Sequence, residues 1–300
     1  MLTKVAEQVG GKAGEEWIGG LTHAFLFWAG GLAAWACRNG WYAGWTELVT
    51  AWRELPEGVG WVLVVAAVLV VRASSRIVEQ FDLPVLRLLE GYYDSAEPGD
   101  FGVKDVKDRY QELSQIQGSR ALNSEQRREL AELEANLRHI PARDEDRMPT
   151  RLGNTLRAAE RRPLEKYGLD VAVCWPRLWM LLPKEAREDL SEFRTKLDEA
   201  ARAWVWSMLF LLSTYWAWWA FPVGVLSAVF AYWRAVDAAE TYGDLLESAF
   251  DVHRNKLYEA VRWAKPANAA AELQAGRALT EYLLRGSDSP ALIFSDPARS

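Results

Sequence analysis

The sequence predicts an all-α integral membrane protein, and three observations support this fold class. The run from Ala203 to Trp233 contains no Asp, Glu, Lys or Arg, and a second run, Trp17–Cys37, is equally free of charge. Each run can cross a hydrocarbon layer of about 30 Å at a helical rise of about 1.5 Å per residue. The region between them has helical spacing and almost no alternation typical of strands. The alternative is an unusually apolar core of a soluble protein.

The first membrane helix is expected over Trp17–Cys37. Glu15 and Glu16 precede it and Arg38 follows it. Residues 34–37 (AWAC) loosely resemble the cleavage site of a signal peptide. However, the apolar run is longer than a signal core, and an acidic pair stands where positive charge is expected. We therefore interpret the run as a retained membrane helix.

The second membrane helix is expected from Gly58 onward. Its uncharged part, residues 58–71, is only fourteen residues long, which also suits a buried or re-entrant helix. Snorkelling of Arg72 and Arg76 would extend the usable apolar length to about Val78. The segment is therefore predicted to cross the membrane.

The run from Ala203 to Trp233 predicts a helical hairpin. As a single helix it would be roughly 46 Å long, which exceeds the bilayer core even with ordinary tilt. Pro222 lacks a backbone N–H, so we expect an outgoing helix over Ala203–Phe221 and a returning helix over Pro222–Trp233. No Pro or Gly occurs from Lys184 to Phe221, which predicts one uninterrupted helix over that segment.

The distribution of positive charge predicts the topology. Of the 35 Lys and Arg residues, 23 lie between Arg72 and Arg202, whereas the segment that joins the first two membrane helices holds only Arg38 and Arg53. The positive-inside rule then places the middle of the chain in the cytoplasm. Four membrane helices with both termini in the cytoplasm satisfy this distribution, and three membrane helices are the main alternative.

The predicted architecture is two plus two: two membrane hairpins around a helical cytoplasmic insert, with long helices that continue from the membrane into the cytoplasm. Residues 1–91 form the first hairpin with a helical extension, and residues 92–183 form the cytoplasmic domain. Residues 184–251 form the second hairpin with its extensions, and residues 252–300 form a cytoplasmic helical tail. Within the insert we expect helices over 103–117, 125–139 and 150–161, the second of them capped by Asn123 and Ser124, with an exposed charged linker at 141–148. In the tail we expect a helix from Pro266 through Leu284.

Several short motifs in the C-terminal half carry a resemblance to known proteins. They are residues 151–154 (RLGN), 157–160 (RAAE), 167–170 (YGLD), 175–178 (WPRL), 242–245 (YGDL) and 249–251 (AFD). These motifs resemble those of uncharacterised bacterial membrane proteins. The resemblance implies an inner-membrane protein with paired helices around a cytoplasmic insert, and it implies neither an activity nor functional residues.

The sequence contains no motif that predicts catalysis. The three His residues lie in no cluster with the spacing of metal ligands, and no phosphate-binding loop, dinucleotide turn or nucleophile elbow is present. We therefore expect no enzyme activity, no cofactor and no metal. The net charge of −6 disfavours a nucleic-acid partner. Cys37 and Cys174 are interpreted as free thiols.

Four sets of residues are candidates for function. The polar candidates within the membrane are His23, Thr22, Ser207, Ser213 and Thr214, as interhelical hydrogen-bond donors or the lining of a polar path. Arg72 and Arg234 are candidates for a pore mouth or for anchors to lipid headgroups. Val62, Val65 and Val68 are candidates for a hydrophobic gate, although a lipid-facing helix has the same composition. Trp175, Leu178 and Trp179 are candidates for a partner surface, with the core of the cytoplasmic domain as the alternative.

Two functions are consistent with these features. The first is an oligomeric pore or ion channel of the bacterial inner membrane, gated or assembled by the cytoplasmic domain. The second is a membrane-anchored scaffold or sensor that recruits a soluble partner on the cytoplasmic side. Membrane lipid and further copies of the chain are the expected partners in both cases.

Overall fold

The computed structural model describes residues 12–38, 40–56, 58–93 and 103–286. In these ranges the chain forms eleven α-helices, two short 3₁₀ helices and no strand, which confirms the all-α prediction. The helices are α1 (Lys12–Arg38), α2 (Trp41–Arg53), α3 (Val59–Glu79), α4 (Asp82–Glu90), α5 (Val103–Ser119), α6 (Ser124–Arg138), α7 (Arg151–Tyr167), α8 (Val171–Leu181), α9 (Lys184–Phe210), α10 (Ala220–Ala260) and α11 (Ala269–Arg285).

Local capping explains where several helices begin. Asn123 precedes α6 and accepts a 2.7 Å hydrogen bond from the N–H of Gln126, whose side chain accepts one from the N–H of Asn123. This reciprocal pair satisfies two backbone donors that the first helical turn leaves without partners. Thr150 acts in the same way before α7, where its hydroxyl accepts from the N–H of Gly153 at 3.0 Å. The predicted cap at Asn123 is confirmed.

The end of helix α9 differs from the sequence prediction. The uninterrupted helix expected over Lys184–Phe221 ends at Phe210, and a 3₁₀ helix follows at Leu211–Tyr215. Helix α10 begins at Ala220, so Pro222 lies in its first turn, where a missing N–H leaves no hydrogen bond unmade. The chain reverses over residues 211–219 and not at the Phe221–Pro222 bond, so the predicted position of the turn was wrong, and a hairpin within the membrane stays a prediction.

The two arms approach closely at Gly224, just after the reversal. A methyl group at Gly224 of α10 would lie 3.3 Å from the carbonyl oxygen of Ser207 in α9 and 2.5 Å from a methyl carbon of Leu211. Glycine therefore allows the two helices to approach closely just after the reversal.

The chain divides into two compact units. Unit 1 takes its described residues from Met1–Arg87 and Leu197–Ala235, and unit 2 from Leu88–Lys196 and Val236–Ser300. Helices α4, α9 and α10 contribute residues to both units.

Unit 2 contains the larger apolar core. Leu178 of α8 and Phe250 and Tyr258 of α10 are fully buried. The ring of Trp175 stacks on that of Phe250, with centroids 5.9 Å apart and planes inclined by 26°. Helix α11 closes this core against α7: a methyl group at Gly276 would lie 1.9 Å from the carbonyl oxygen of Tyr167, so the close approach requires glycine.

A smaller cluster joins α5 to α6 through Leu113, Leu122 and Leu130. The segment 141–148 was expected to be an exposed linker, and this prediction was wrong in part. Pro141, Asp146 and Met148 are buried, because the segment folds back against α7. The carboxylate of Asp146 accepts a 2.9 Å hydrogen bond from Nε of Arg161.

Unit 1 has a small interior made mostly of short side chains. Ala24 of α1, Val78 of α3 and Trp206 of α9 are buried together, and the rings of Phe27 and Trp206 lie 5.0 Å apart. Most of the large apolar residues of this unit lie outside that interior.

Candidate functional site

Unit 1 has an apolar outer surface that three helices share. We call it the lipid-type surface. From α1 it includes Phe25, Leu26, Trp28 and Leu32; from α3, Trp61, Val62, Leu63, Val64, Val65, Val68, Leu69 and Val70; from α10, Phe221, Val223, Leu226, Val229, Phe230 and Trp233. Isolated exposed apolar residues are ordinary, but this many large ones on three helices of one unit are typical of membrane or protein contacts.

Helix α3 is the clearest part of this surface. Among the described residues it is the one helix long and apolar enough to cross a membrane, and little of it is buried. All ten residues from Trp61 to Val70 are exposed. Because successive residues are about 100° apart around a helix, ten of them cover its whole circumference. No side of this half of α3 is therefore buried by the other described residues.

The structure separates the predicted polar residues into two groups. Thr22 is exposed and His23 half-buried on α1. Ser207 and Ser213 are buried, and Ser207 donates a 2.8 Å hydrogen bond to the carbonyl oxygen of Ala203. Gly31 of α1 faces Ser213, since a methyl group there would lie 3.8 Å from the Ser213 hydroxyl. The two serines are thus enclosed where helices pack.

Thr214 differs from both serines. Its hydroxyl oxygen is buried, and no described residue forms a hydrogen bond with it. A buried hydroxyl that lacks a partner carries a cost of about 1–3 kcal/mol unless water or another group satisfies it.

The predicted valine set is exposed, whereas the predicted arginines differ from each other. Val62, Val65 and Val68 all lie on the exposed half of α3. Arg72 is half-buried farther along the same helix, and Arg234 is exposed on α10. These positions suit a gate and a pore mouth as well as lipid contact and headgroup anchoring.

One ion pair of unit 1 was missed at the sequence level. Nε of Arg202 donates to both carboxylate oxygens of Asp82, at 2.9 and 3.0 Å, across 120 positions of the chain. Arg202 immediately precedes the uncharged run, and Asp82 begins α4 just after α3. The pair therefore ties together the charged ends of two apolar segments.

The predicted partner surface needs correction at one residue. Leu178 is completely buried in the core of unit 2, so it cannot form an exposed surface. Trp175 and Trp179 are half-buried and pack against the same core. The large apolar side chain that α8 exposes is Met180, whose surface is 71% accessible.

Unit 2 also contains a cleft of about 440 Å³ between α5, α6 and α7. Its lining residues are Lys107, Tyr110, Gln111, Leu137, Ile140, Pro141, Ala142, Ala158, Arg161, Arg162 and Glu165. The apolar floor and the three cations around it suit a ligand that presents both an apolar group and a carboxylate. Nζ of Lys107 lies 3.2 Å from the carboxylate of Asp144, which is far more exposed than the carboxylates that pair with Arg161 and Arg162.

A network of ions extends behind the cleft around Glu247. This residue is only 8% exposed, yet its carboxylate accepts hydrogen bonds from Arg162 at 2.5 Å, Lys166 at 2.9 Å and Arg138 at 3.2 Å. Burial alone would raise the pKa of Glu247, but the hydrogen bonds from Lys166 and Arg162 outweigh it and lower the pKa to about 2. The carboxylate thus stays ionised and holds three cations in place.

Neither cysteine nor metal chemistry is indicated by the described residues. No group of three His, Cys, Asp or Glu residues in this part of the chain could hold a metal ion. Cys174 is buried, and burial raises the pKa of its thiol to about 11, so the thiolate form is disfavoured. The expected lack of enzyme activity stays a prediction.

The comparisons with known proteins place no constraint on this site. No family model, curated protein or solved structure matches the chain.

The cleft and Glu247 were not found from sequence. A signal for Glu247 did exist, because it follows Gly243 by four residues and precedes Phe250 by three, which places a carboxylate on the buried face of α10. The cations that pair with it lie 81 to 109 positions earlier in the chain, and no local pattern connects them.

Proposed function

We propose that this protein is a multi-pass protein of the bacterial inner membrane whose unit 2 is a cytoplasmic scaffold or sensor domain for a soluble partner. The observation that carries the proposal is the lipid-type surface of unit 1, which contrasts with the charged exterior and apolar core of unit 2. Exposed apolar area on this scale is stable in hydrocarbon and unfavourable in water.

Four membrane helices account best for the lipid-type surface. They are α1, α3, the second half of α9 and the first half of α10. Each carries an uncharged stretch, and the return of α10 beside α9 gives a hairpin. Both termini and unit 2 then lie on the cytoplasmic side, where the Lys and Arg residues concentrate.

Reporter fusions test this topology. Reporters inserted near residue 57 and near residue 217 should be active in the periplasm, and reporters near residue 120 and at the C-terminus should be active in the cytoplasm. A periplasmic C-terminus would contradict four membrane helices, and a soluble full-length chain would contradict membrane embedding altogether.

The cleft of unit 2 is the proposed site for the soluble partner. We infer a partner segment with an apolar side chain and a carboxylate, because Lys107, Arg161 and Arg162 surround an apolar floor. Arg161 and Arg162 are held by buried carboxylates, so Lys107 is the cation that can change partner at the least cost.

Site-specific crosslinking in the native membrane tests this partner site. A photo-crosslinking amino acid at Gln111, which is exposed and lines the cleft, should give a discrete adduct with a soluble protein. Lys107→Glu should abolish the adduct, whereas Lys104→Glu, on the same helix outside the cleft, should not. The absence of an adduct, or an adduct insensitive to Lys107→Glu, would contradict the proposal.

The second candidate function is an oligomeric pore. It is favoured by Thr214, whose buried hydroxyl lacks a partner among the described residues and would be satisfied by water in a conduit. Purified protein in liposomes should then conduct ions, with the flux reduced by Thr214→Val and not by Thr195→Val on the exposed face of α9 in unit 2. Liposomes without ion flux would rule out the pore.

A further inference from the structure

Helix α2 has an exposed aromatic face with no role in the proposals above. Its exposed apolar residues are Trp41, Tyr42, Trp45, Val49 and Trp52. At about 100° per residue these side chains lie within an arc of about 100° on one side of the helix. Thr46, Glu47 and Thr50 lie on another side, so α2 is amphipathic although its aromatic face is not buried.

The chain itself restricts where α2 can lie. Only residues 39–40 separate it from α1, and only residues 54–58 separate it from α3. Five fully extended residues reach at most about 18 Å. If α1 and α3 cross the bilayer, as proposed above, α2 therefore stays at the membrane boundary where α1 ends and α3 begins.

Packing holds α2 close to both neighbouring helices. A methyl group at Gly44 would lie 2.8 Å from the carbonyl oxygen and 2.9 Å from the Cα of Ala36 in α1, so the two backbones are in contact. At the other end, the indole of Trp52 lies 3.1 Å from the position of a methyl group at Gly60 in α3. On a helical wheel Gly44 lies between the aromatic arc and Glu47, about 60° from each.

We propose that α2 is an interfacial helix that lies at the headgroup boundary of the outer leaflet, with its aromatic face toward the acyl chains. The proposal rests on the membrane embedding of unit 1. Trp and Tyr rings favour this boundary, because the ring enters hydrocarbon while the N–H or O–H stays hydrated. The polar side of α2, with Thr46, Glu47 and Thr50, then faces water. Such a helix fixes the depth at which α1 and α3 sit in the bilayer.

Depth-dependent fluorescence quenching tests this placement. In a background with Cys37→Ala and Cys174→Ala, the full chain carries a single environment-sensitive label at Val49→Cys or at Thr50→Cys. These neighbours differ by about 100° around the helix. The protein is studied in phosphatidylcholine–phosphatidylglycerol vesicles, with a third variant, Leu69→Cys, labelled in the middle of α3.

The Val49 label should be quenched by lipids that carry a spin label near the headgroup and should lose quenching by aqueous iodide. The Thr50 label should show the reverse pattern. Iodide quenching of both labels would overturn the interfacial helix. Protection of Val49 from iodide without quenching by shallow spin-labelled lipid would also overturn it, because a protein surface would then cover the face.

The label at Leu69 separates this inference from the proposed function. Quenching of Leu69 by lipids spin-labelled deep in the acyl chain is expected in every case where unit 1 is embedded. If Leu69 is quenched and Val49 is not, only the interfacial helix fails. If Leu69 is accessible to iodide, membrane embedding itself fails.

Discussion

Phe230 and Phe250 lie on the same helix, α10, but in opposite surroundings. Phe230 belongs to unit 1 and is 65% exposed, whereas Phe250 belongs to unit 2 and is completely buried. Around Phe230 the helix is uncharged on every side, from Ala220 to Trp233. Around Phe250 apolar residues follow one stripe and charged residues occupy the rest. A stripe can be buried against other helices in water, but an apolar surface on every side requires an apolar solvent or another protein.

The two units therefore differ in the solvent that their surfaces favour. Unit 2 places its largest apolar side chains inside and compensates its buried carboxylates with cations, as at Glu247. Unit 1 places small residues and serines inside and large apolar side chains outside, as expected where helices pack in lipid without a hydrophobic driving force between them.

Truncation of the two phenylalanines is the test of this contrast with the largest expected effect. Phe250→Ala should lower the free energy of unfolding of the full chain in detergent micelles by about 3–5 kcal/mol, because it opens a cavity in the core of unit 2. Phe230→Ala should lower it by less than about 1 kcal/mol, because detergent replaces the lost contacts. Denaturant titrations measure both. Equal losses for the two variants would contradict the assignment of opposite surroundings.

A charge introduced at the exposed apolar positions should also separate the units. Val65→Arg should disfavour membrane insertion by about 3 kcal/mol, the cost of an arginine near the middle of a membrane helix. Met180→Arg, at a similarly exposed residue of unit 2, should leave insertion unchanged. A reporter inserted near residue 120 of each full-length variant measures the effect, because failed insertion of α3 leaves that residue in the periplasm. A reporter in Val65→Arg that stays entirely cytoplasmic would contradict the placement of α3 across the hydrocarbon.

Removal of the central carboxylate should destabilise unit 2 in a pH-dependent way. Glu247→Gln should cost about 2–3 kcal/mol at neutral pH, because it leaves Arg162 and Lys166 without their buried counter-ion. The pKa of Glu247 is lowered to about 2 in the folded chain. The contribution of this carboxylate to stability is therefore complete above the pKa of Glu in the unfolded chain, about 4.3. It declines as the pH falls toward 2.

Thermal unfolding of the full chain in detergent, followed from neutral pH to about pH 3, measures this dependence. The difference between the unaltered protein and Glu247→Gln should shrink as the pH falls. Glu192→Gln, which alters an exposed ion pair with Lys196, should change little at any pH. A difference that grows on acidification would contradict the ion network.

The smallest expected effect comes from the helix cap of unit 2. Asn123→Ala should lower the free energy of unfolding by about 1 kcal/mol, because the N–H of Gln126 loses its acceptor. Ser124→Ala, one residue later, should change it by only a few tenths of a kcal/mol because its side chain is exposed. The same denaturant titration distinguishes them, and indistinguishable variants would argue against the capping box.

Features with local causes could be predicted from the sequence. The all-α class, the cap at Asn123 and helix α5, expected over 103–117 and observed over Val103–Ser119, follow from propensity and spacing within one turn or two. The final helix was expected from residue 266 and forms at Ala269–Arg285.

Features that depend on tertiary contacts could not be predicted from the sequence. Helix α9 ends at Phe210, next to a close contact with α1: a methyl group at Gly30 would lie 2.8 Å from the Phe210 ring. Nothing within Lys184–Phe221 encodes that contact. The Arg202–Asp82 pair joins residues 120 positions apart, so only the folded chain reveals it.

The same limit applies to the candidate sites. The apolar stretches of unit 1 were evident from composition, but helix α2 was not predicted. The cleft near Lys107 requires three helices to meet, and the burial of Leu178 depends on Phe250, which lies 72 positions later.

Labelling of two matched cysteines tests the central claim that lipid covers unit 1 and water surrounds unit 2. Leu226 and Met180 are almost equally exposed, at 68% and 71%. In inside-out membrane vesicles, with Cys37→Ala and Cys174→Ala as background, an impermeant maleimide should label Met180→Cys rapidly. Leu226→Cys should stay unlabelled from either side of the membrane until the protein is denatured. Rapid labelling of Leu226→Cys in intact vesicles would contradict the account.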